Sequence, residues 1–304
     1  MLNLKKIEID DKALFDSKIN FSYENSESSF ANLFMWRYVS DNKFTVIDDA
    51  LCVFYRKSDG REACCFPFGK CNVKEVVLKI KKYFDEKNIP FIMESVAENE
   101  KNILMNEFKD QLIVIEDENL ADYVYTSDKL INLSGKKLHA KRNHINKFKS
   151  LYNYEYVSLD KDLYAKCVSK AKEWLLRKYL PEDKDFASEM NALLQILNNY
   201  DKLNLKGGAI LINGNIAAFS LGERLNDTTF AVHIEKADTD YEGSYTVINN
   251  EFSSHECKDF EFVNREEDMG IEGIRKAKKS YIPDKMIKKY KIEFKEQNIW
   301  SVYF

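Results

Sequence analysis

The sequence predicts an α/β (α+β) protein in which one sheet-and-helix unit is built twice. Three observations predict it. Apolar runs at 208–213 and 215–221 flank Asn213-Gly214, a dipeptide that supplies the positive φ a two-residue hairpin needs. Val73, Val76, Val77, Ile80 and Phe84 fall on one stripe at helical spacing. The same succession of meander, helix, strand, helix and strand is read in both halves, although no residue-level repeat accompanies it. The 304 residues, 44% of them hydrophobic, are enough for two cores.

In chain order, Phe44 to Ile47, Leu51 to Tyr55 and Ala63 to Phe68 read as short strands with turns at Asp48-Asp49 and Ser58-Asp59-Gly60. The amphipathic stretch from Val73 to Lys87 follows as a helix. Phe91 to Glu94 is a strand after Pro90, Glu98 to Phe108 a helix, and Gln111 to Glu116 a strand. A linking segment, 134–151, precedes helices near 161–179 and 185–200. The second meander takes in 208–213, 215–221 and Thr228 to Lys236. A helix at 244–255, a strand from Lys258 to Asn264, a helix at 271–279 and a last strand from Met286 to Phe294 complete it. The expected division is 1–133 and 134–304.

Composition narrows the function. The chain has 46 basic and 50 acidic residues, a net charge of −4. A uniformly basic nucleic-acid coat is excluded; a local basic face is not. The cysteines at 52, 64, 65, 71, 167 and 257 form no C-x-x-C pair, so buried thiols in a reducing compartment are expected. The histidines at 139, 144, 233 and 255 pair with no cysteine at ligand spacing, and no metal is expected. The N-terminus lacks an apolar core of signal-peptide length. No apolar run approaches about 18 residues, so no membrane span is expected. A cytoplasmic protein is the expectation.

Two segments carry chemistry. The first, Ser134 to Lys149, is a helix with an apolar stripe of Leu138, Ile145 and Phe148, and otherwise Lys136, Lys137, Lys141, Arg142, Lys147 and Lys149 without an acid. Such a face attracts phosphates or an acidic partner, or it is a solvated face balancing nearby acids. Arg142, Asn143 and His144 are consecutive and fan around the helix, so two at most serve one site. The second segment, Asn264 to Pro283, leaves a strand end, turns through Glu266, Glu267 and Asp268, and enters a helix. Ligands favour strand ends in open sheets. Its acids suit helix capping, an amine-binding site or a general base. Arg275 and Lys278 lie one turn apart on one face and can converge on an anion. Tyr281 suits either proton donation to a leaving group or the filling of a gap between helix and sheet.

The order of elements is that of the GNAT acyltransferase fold, here in tandem. Lys141-Arg142-Asn143-His144 on a basic helix, and Asn264-Arg265-Glu266-x-Asp268-x-Gly270-x-x-Gly273-x-Arg275-x-x-Lys278-x-Ser280-Tyr281-x-Pro283, resemble the family named for the C-terminal domain of phosphatidylglycerol lysyltransferase. The resemblance implies a tandem GNAT fold related to the Fem-type transferases that move amino acids from aminoacyl-tRNA. It covers nearly the whole chain in element order. The lipid-modifying members carry a membrane-spanning N-terminal region that this sequence does not show.

An ordinary acyl-CoA site has Arg/Gln-x-x-Gly-x-Gly/Ala at a helix N-terminus, where backbone N–H groups hold the pyrophosphate. Here the corresponding stretches read Asp238-Thr239-Asp240-Tyr241-Glu242-Gly243-Ser244-Tyr245 and Phe66-Pro67-Phe68-Gly69-Lys70-Cys71-Asn72. Neither has the motif. The expected function is therefore transfer of an aminoacyl group, from an aminoacyl-tRNA-type donor without a certain cofactor, to an amine or hydroxyl acceptor on a small molecule, peptide or lipid headgroup. Glu267 or Asp268 would bind the amine or act as base, and Tyr281 would donate the proton. Arg142, Asn143, His144, Asn264, Arg265, Arg275 and Lys278 would bind substrate, and helix 136–149 would face a tRNA acceptor end. Acyl-CoA-dependent N-acyl transfer and a non-catalytic binding module on the same fold are the alternatives. The basic rod and the acidic corner are expected to border one hollow.

Overall fold

The computed structural model describes residues 2–19 and 23–295. The first unit runs β1 (Lys5–Lys6), α1 (Lys12–Lys18), α2 (Phe30–Met35), β2 (Lys43–Ile47), β3 (Ala50–Arg56), β4 (Glu62–Cys64), α3 (Val73–Glu86), β5 (Met93–Ala97), α4 (Glu98–Phe108) and β6 (Leu112–Glu116). The next stretch is β7 (Asp122–Thr126), α5 (Ser127–Asn132), α6 (His139–Leu151), β8 (Tyr154–Ser158), α7 (Lys161–Leu175), α8 (Lys184–Asn198) and α9 (Tyr200–Leu203). The second meander is β9 (Lys206–Ile212), β10 (Asn215–Arg224) and β11 (Thr229–Ala237). Then come α10 (Ser244–Glu256), β12 (Phe262–Asn264), α11 (Glu272–Lys279), β13 (Lys285–Ile287) and β14 (Lys289–Phe294). The Asn213-Gly214 hairpin forms as expected, with φ of 51° and 76°.

Two seven-stranded mixed sheets result, ordered β1-β2-β3-β4-β5-β14-β6 and β13-β7-β12-β11-β10-β9-β8. In each, the last meander strand runs parallel to the strand beyond its crossover helix, β4 to β5 across α3 and β11 to β12 across α10; the other pairings are antiparallel. The tandem α/β architecture expected from the element order, a mixed sheet with flanking helices built twice, is the one observed.

The units trade strands reciprocally. β14, from the end of the chain, lies between β5 and β6 of the first sheet, and β7 lies between β12 and β13 of the second. The strand expected at 286–294 is thus two, one in each sheet. β7 precedes position 133 yet belongs to the second sheet, and β14 follows it yet belongs to the first.

Both exchanged strands start at one junction. Lys289 and Asp122, each fully buried, pair there at 2.6 Å. Asp122 also accepts from the Ser26 N–H at 2.8 Å and from Asn264 Nδ2 at 2.9 Å. The interior between the units is apolar: Phe15, Phe30 and Phe34 share a cluster with Trp174, Leu193 and Phe219. Burial of that kind, at roughly 25 cal/mol per Å², ties α7 and α8 to α1 and α2. Among the described residues no helix is long and apolar enough to cross a membrane.

Candidate functional site

β12 ends at Asn264, and the chain turns sharply before α11. Non-glycine residues Glu266 and Met269 adopt φ of 58° and 53°, a conformation that costs L-residues energy and recurs at functional sites. Asn264 sets the turn: its Oδ1 accepts the Glu266 N–H at 2.7 Å while its Nδ2 donates to Asp122.

Asp268 is fully buried. It accepts from Tyr123 Oη at 2.6 Å, from the Gly270 N–H at 2.8 Å, and from Arg275 through Nε at 2.7 Å and Nη2 at 2.8 Å. Burial alone would raise its pKa; the Arg275, Tyr123 and Gly270 hydrogen bonds outweigh it and hold the carboxyl at about 2. Arg275 also donates to Asn119 Oδ1 at 2.7 Å. Both members of this pair are engaged in holding the corner.

Glu267 differs. Burial pushes its pKa up to about 8, with Lys289 opposing and Glu27, Glu266 and Asp122 adding to the rise. Its Oε2 lies 3.7 Å from Lys289 Nζ. Lys278 donates to the carbonyls of Glu266, at 3.1 Å, and of Glu267. Burial lowers the Lys278 pKa, against the pull of Glu266 and Glu267 and with Arg265 adding to the fall. The same junction reaches a cavity of about 10 Å³, little larger than one water, lined in part by Glu27, Ser95 and Glu100.

Tyr281 is 4% exposed. Its ring meets Tyr125 edge-on at 6.3 Å. Lys141 Nζ lies 4.1 Å and the Arg265 guanidinium 4.9 Å from its centroid. Burial raises its pKa to about 12, with Arg265 opposing. Arg265 in turn pairs with Glu235 at 2.9 Å.

The basic helix and the acidic corner therefore meet, and Lys141 makes the contact. The three residues after it do not share that position. Arg142 Nη1 donates to the carbonyls of Leu133 and of Gly135, the latter at 2.9 Å, closing the end of α5. Asn143 is exposed and bonds His139 at 3.2 Å; His144 is exposed on the same outer side of the helix sequence. Further along, Lys147 pairs with Glu242 at 2.6 Å and Lys149 with Glu251 at 3.9 Å, while Lys136 and Lys137 face solvent. At the start of α10, Asp238 and Asp240 are held by Arg177 at 2.6 and 3.0 Å. That corner is filled by its own ion pairs.

His233, read from the sequence as a structural strand residue, is fully enclosed. Its Nδ1 lies 2.8 Å from Glu266 and its Nε2 3.1 Å from Glu223. Burial opposes its charge, yet the two carboxylates prevail and raise its pKa to about 10. Sequence reasoning did not single out Lys289, Asp122, Glu235, Asn249 or Lys141 by itself. One signal was available: His233 and Glu235 are polar residues two apart in an otherwise apolar strand.

The sequence model for phosphatidylglycerol lysyltransferase, C-terminal, matches residues 20–293. A conserved protein of unknown function from Bacteroides thetaiotaomicron is 36% identical, with 97% of this chain and 100% of that one covered at a TM-score of 0.90. L-PGS from Bacillus licheniformis, 14% identical, shares the fold at a TM-score of 0.66 over 98% of this chain and 95% of its own. An uncharacterised protein of Mycoplasmoides gallisepticum is 28% identical over 184 residues, 58% of this chain; the chain spans only 57% of the length of that curated relative. With the family matched along nearly its whole length, the chain belongs to the phosphatidylglycerol lysyltransferase C-terminal family.

Proposed function

We propose that this protein is an acyltransferase that moves an aminoacyl group from an aminoacyl-tRNA-type donor to an amine or hydroxyl acceptor on a small molecule, peptide or lipid headgroup. The observation that carries the reading is the meeting of the basic helix with the strand-end corner. Lys141 and Arg265 flank Tyr281, and Lys278 interacts electrostatically with both Arg265 and Glu267. Attack on an ester needs a proton acceptor for the nucleophile, cations for developing negative charge and a donor for the leaving oxygen. Glu267, with a pKa near 8, is suited to take the acceptor's proton. Asp268 is not free for it, because its oxygens already hold Arg275, Tyr123 and the Gly270 N–H. Tyr281 keeps its proton through the working pH range and serves as the hydrogen-bond donor. Arg265, Lys141 and Lys278 supply positive charge, and Asn264 and Arg275 fix the corner. Arg142, Asn143 and His144 flank the exposed basic surface that would meet the tRNA acceptor end.

The test is retention of tRNA by purified protein across a salt series, followed by transfer from charged tRNA to a panel of acceptors. Retention that falls steeply with salt, and transfer lost in Glu267→Gln, are expected. Salt-independent behaviour with no nucleic acid carried through purification would remove the donor. Stabilisation by CoA would then put the acyl-CoA reading in its place.

A further inference from the structure

Burial of a cation calls for a counter-charge, and two cations of this protein have it: Lys289 meets Asp122 and Glu27, and Arg265 holds Glu235. Arg37, just beyond α2 and 7% exposed, has no carboxylate within ion-pair distance among the described residues. Its guanidinium lies 3.5 Å from the Phe34 ring centroid and 4.2 Å from that of Tyr38. Nη1 donates to the Phe34 carbonyl at 2.7 Å, and Nη2 donates to Gln195 Oε1 at 2.9 Å and to Tyr38 Oη at 3.3 Å. All three acceptors are neutral. Nε is out of solvent and has no partner, and with one N–H of Nη1 it makes up the unused part of a five-donor group. Capping the end of α2 does not account for a charge here, because Asn42 Nδ2 closes the Leu33 carbonyl at 2.8 Å with a neutral amide.

Arg37 lines a cavity of about 130 Å³ together with Lys6, Ile7, Tyr38, Asp41 and Asn42, roughly ten times the room that one ordered water needs. Lys6, on the edge strand β1, is exposed and has no ion pair among the described residues. Asp41 is the acid of the lining, and it is taken by Lys43 at 2.6 Å and by Arg56 at 3.8 Å. That cluster keeps one net positive charge, two cations against one acid, and Lys6 and Arg37 add two more. The occupant must therefore bring negative charge and accept hydrogen bonds. A carboxylate or a phosphodiester brings a single charge, whereas a terminal phosphate brings nearly two at neutral pH and three acceptor oxygens. We propose that this cavity of the first unit, which shares no residue with the β12–α11 corner, is a binding site for a terminal phosphate group held by Lys6 and Arg37. Inorganic phosphate and a phosphate monoester share this chemistry. Tyr38 is 52% exposed and gives the organic part of an ester a ring to rest on. Nothing in this site depends on acyl transfer.

Binding of phenyl phosphate, inorganic phosphate, dimethyl phosphate and benzoate to the full chain at constant ionic strength, read by calorimetry and by the Arg37 Nε–H resonance, tests it. Phenyl phosphate and inorganic phosphate bind roughly tenfold tighter than the two monoanions, the worth of one added charge-assisted contact, and both move the Arg37 resonance. Their own order separates the sources: tighter phenyl phosphate assigns the site to an ester, and tighter inorganic phosphate assigns it to the free ion. Lys6→Gln loses roughly tenfold in phosphate affinity. Because the Lys6 side chain is exposed and unpaired, this variant keeps the denaturant midpoint of the unaltered protein and stays informative where Arg37→Gln fails to fold. Phosphate binding no tighter than benzoate or dimethyl phosphate overturns the site. So does an affinity unchanged in Lys6→Gln, or an Arg37 resonance that stays in place as phosphate binds.

Discussion

Two arginine–carboxylate pairs stand on either side of the β12–α11 corner, and they are built to opposite rules. Arg275 grips Asp268 through two nitrogens, and Tyr123, Gly270 and Asn119 take up the remaining capacity. Arg265 reaches Glu235 through one nitrogen and leaves the other without a partner. The contrast separates architecture from chemistry. A saturated pair fixes geometry and has nothing to offer a ligand, whereas an unsaturated one in a buried setting has a binding capacity that the protein itself does not use. By this measure the acids expected to do chemistry divide as well: Asp268 belongs to the frame, and Glu267 remains chemically available.

The strongest test of the comparison is Asp268→Ala. It strands the Tyr123 hydroxyl and leaves a guanidinium without its carboxylate, and removal of one partner of a buried pair costs about 3–5 kcal/mol. Arg275 retains 32% of its side-chain surface, so the lower end of that range is expected. Denaturant midpoints at constant m-value measure it. A loss under about 1 kcal/mol would show that this knot is not what holds the corner, and the contrast would fail.

A smaller, reversible perturbation is pH. His233 has its folded pKa raised from 6.5 to about 10 by Glu223 and Glu266, against burial. The folded state therefore keeps a proton that the unfolded state has released. Its contribution is complete below pH 6.5 and is lost as pH rises through 10. Glu267, raised from 4.5 to about 8 mainly by burial, acts in the same direction between those values. Stability should fall from pH 6.5 to 10, by no more than roughly 1.4 kcal/mol per pH unit for each group titrating. The part between about pH 8 and 9, where the buried thiols such as Cys52 and Cys167 (ordinary value 9.0, raised by burial) barely contribute, should shrink in His233→Gln. A flat or rising midpoint between pH 8 and 10 in the unaltered protein contradicts the clamp.

What the sequence made legible follows interaction range. The Asn213-Gly214 hairpin, α3, α10 and α11 rest on spacing within a few residues, and all are present at nearly the expected bounds. β7 and β14 are different. Asp122-Tyr-Val-Tyr-Thr126 was not read as a strand. Lys289-Tyr-Lys-Ile-Glu-Phe294 reads as the tail of the second unit, because nothing local records that each strand completes the other sheet. Lys289 stands among Lys288 and Lys291 and looks like a solvated cation; only the partner Asp122, 167 positions away, gives it a buried place. In the basic helix the sequence marks the right turn and the wrong side chains for the corner: a helix of uncertain rotation cannot say that Lys141, and not Arg142, points inward. That Glu267 and Tyr281 stand beside a strand end is legible in the sequence, but the occupancy of Asp268 depends on Tyr123 and Asn119, which come from before the linking helix.

The finest test is Arg265→Lys. If the second nitrogen of Arg265 is an unused donor, a lysine that still reaches Glu235 gives up packing against Tyr281 and Tyr125 but removes the unmade hydrogen bond. Two changes of about 1 kcal/mol then oppose each other. The midpoint should move by less than about 1 kcal/mol, well short of Asp268→Ala. A loss as large as that of Asp268→Ala would mean that the tyrosine faces already satisfy the guanidinium. Arg265 would then be as fully engaged as Arg275, and the distinction between the two pairs would no longer separate frame from site.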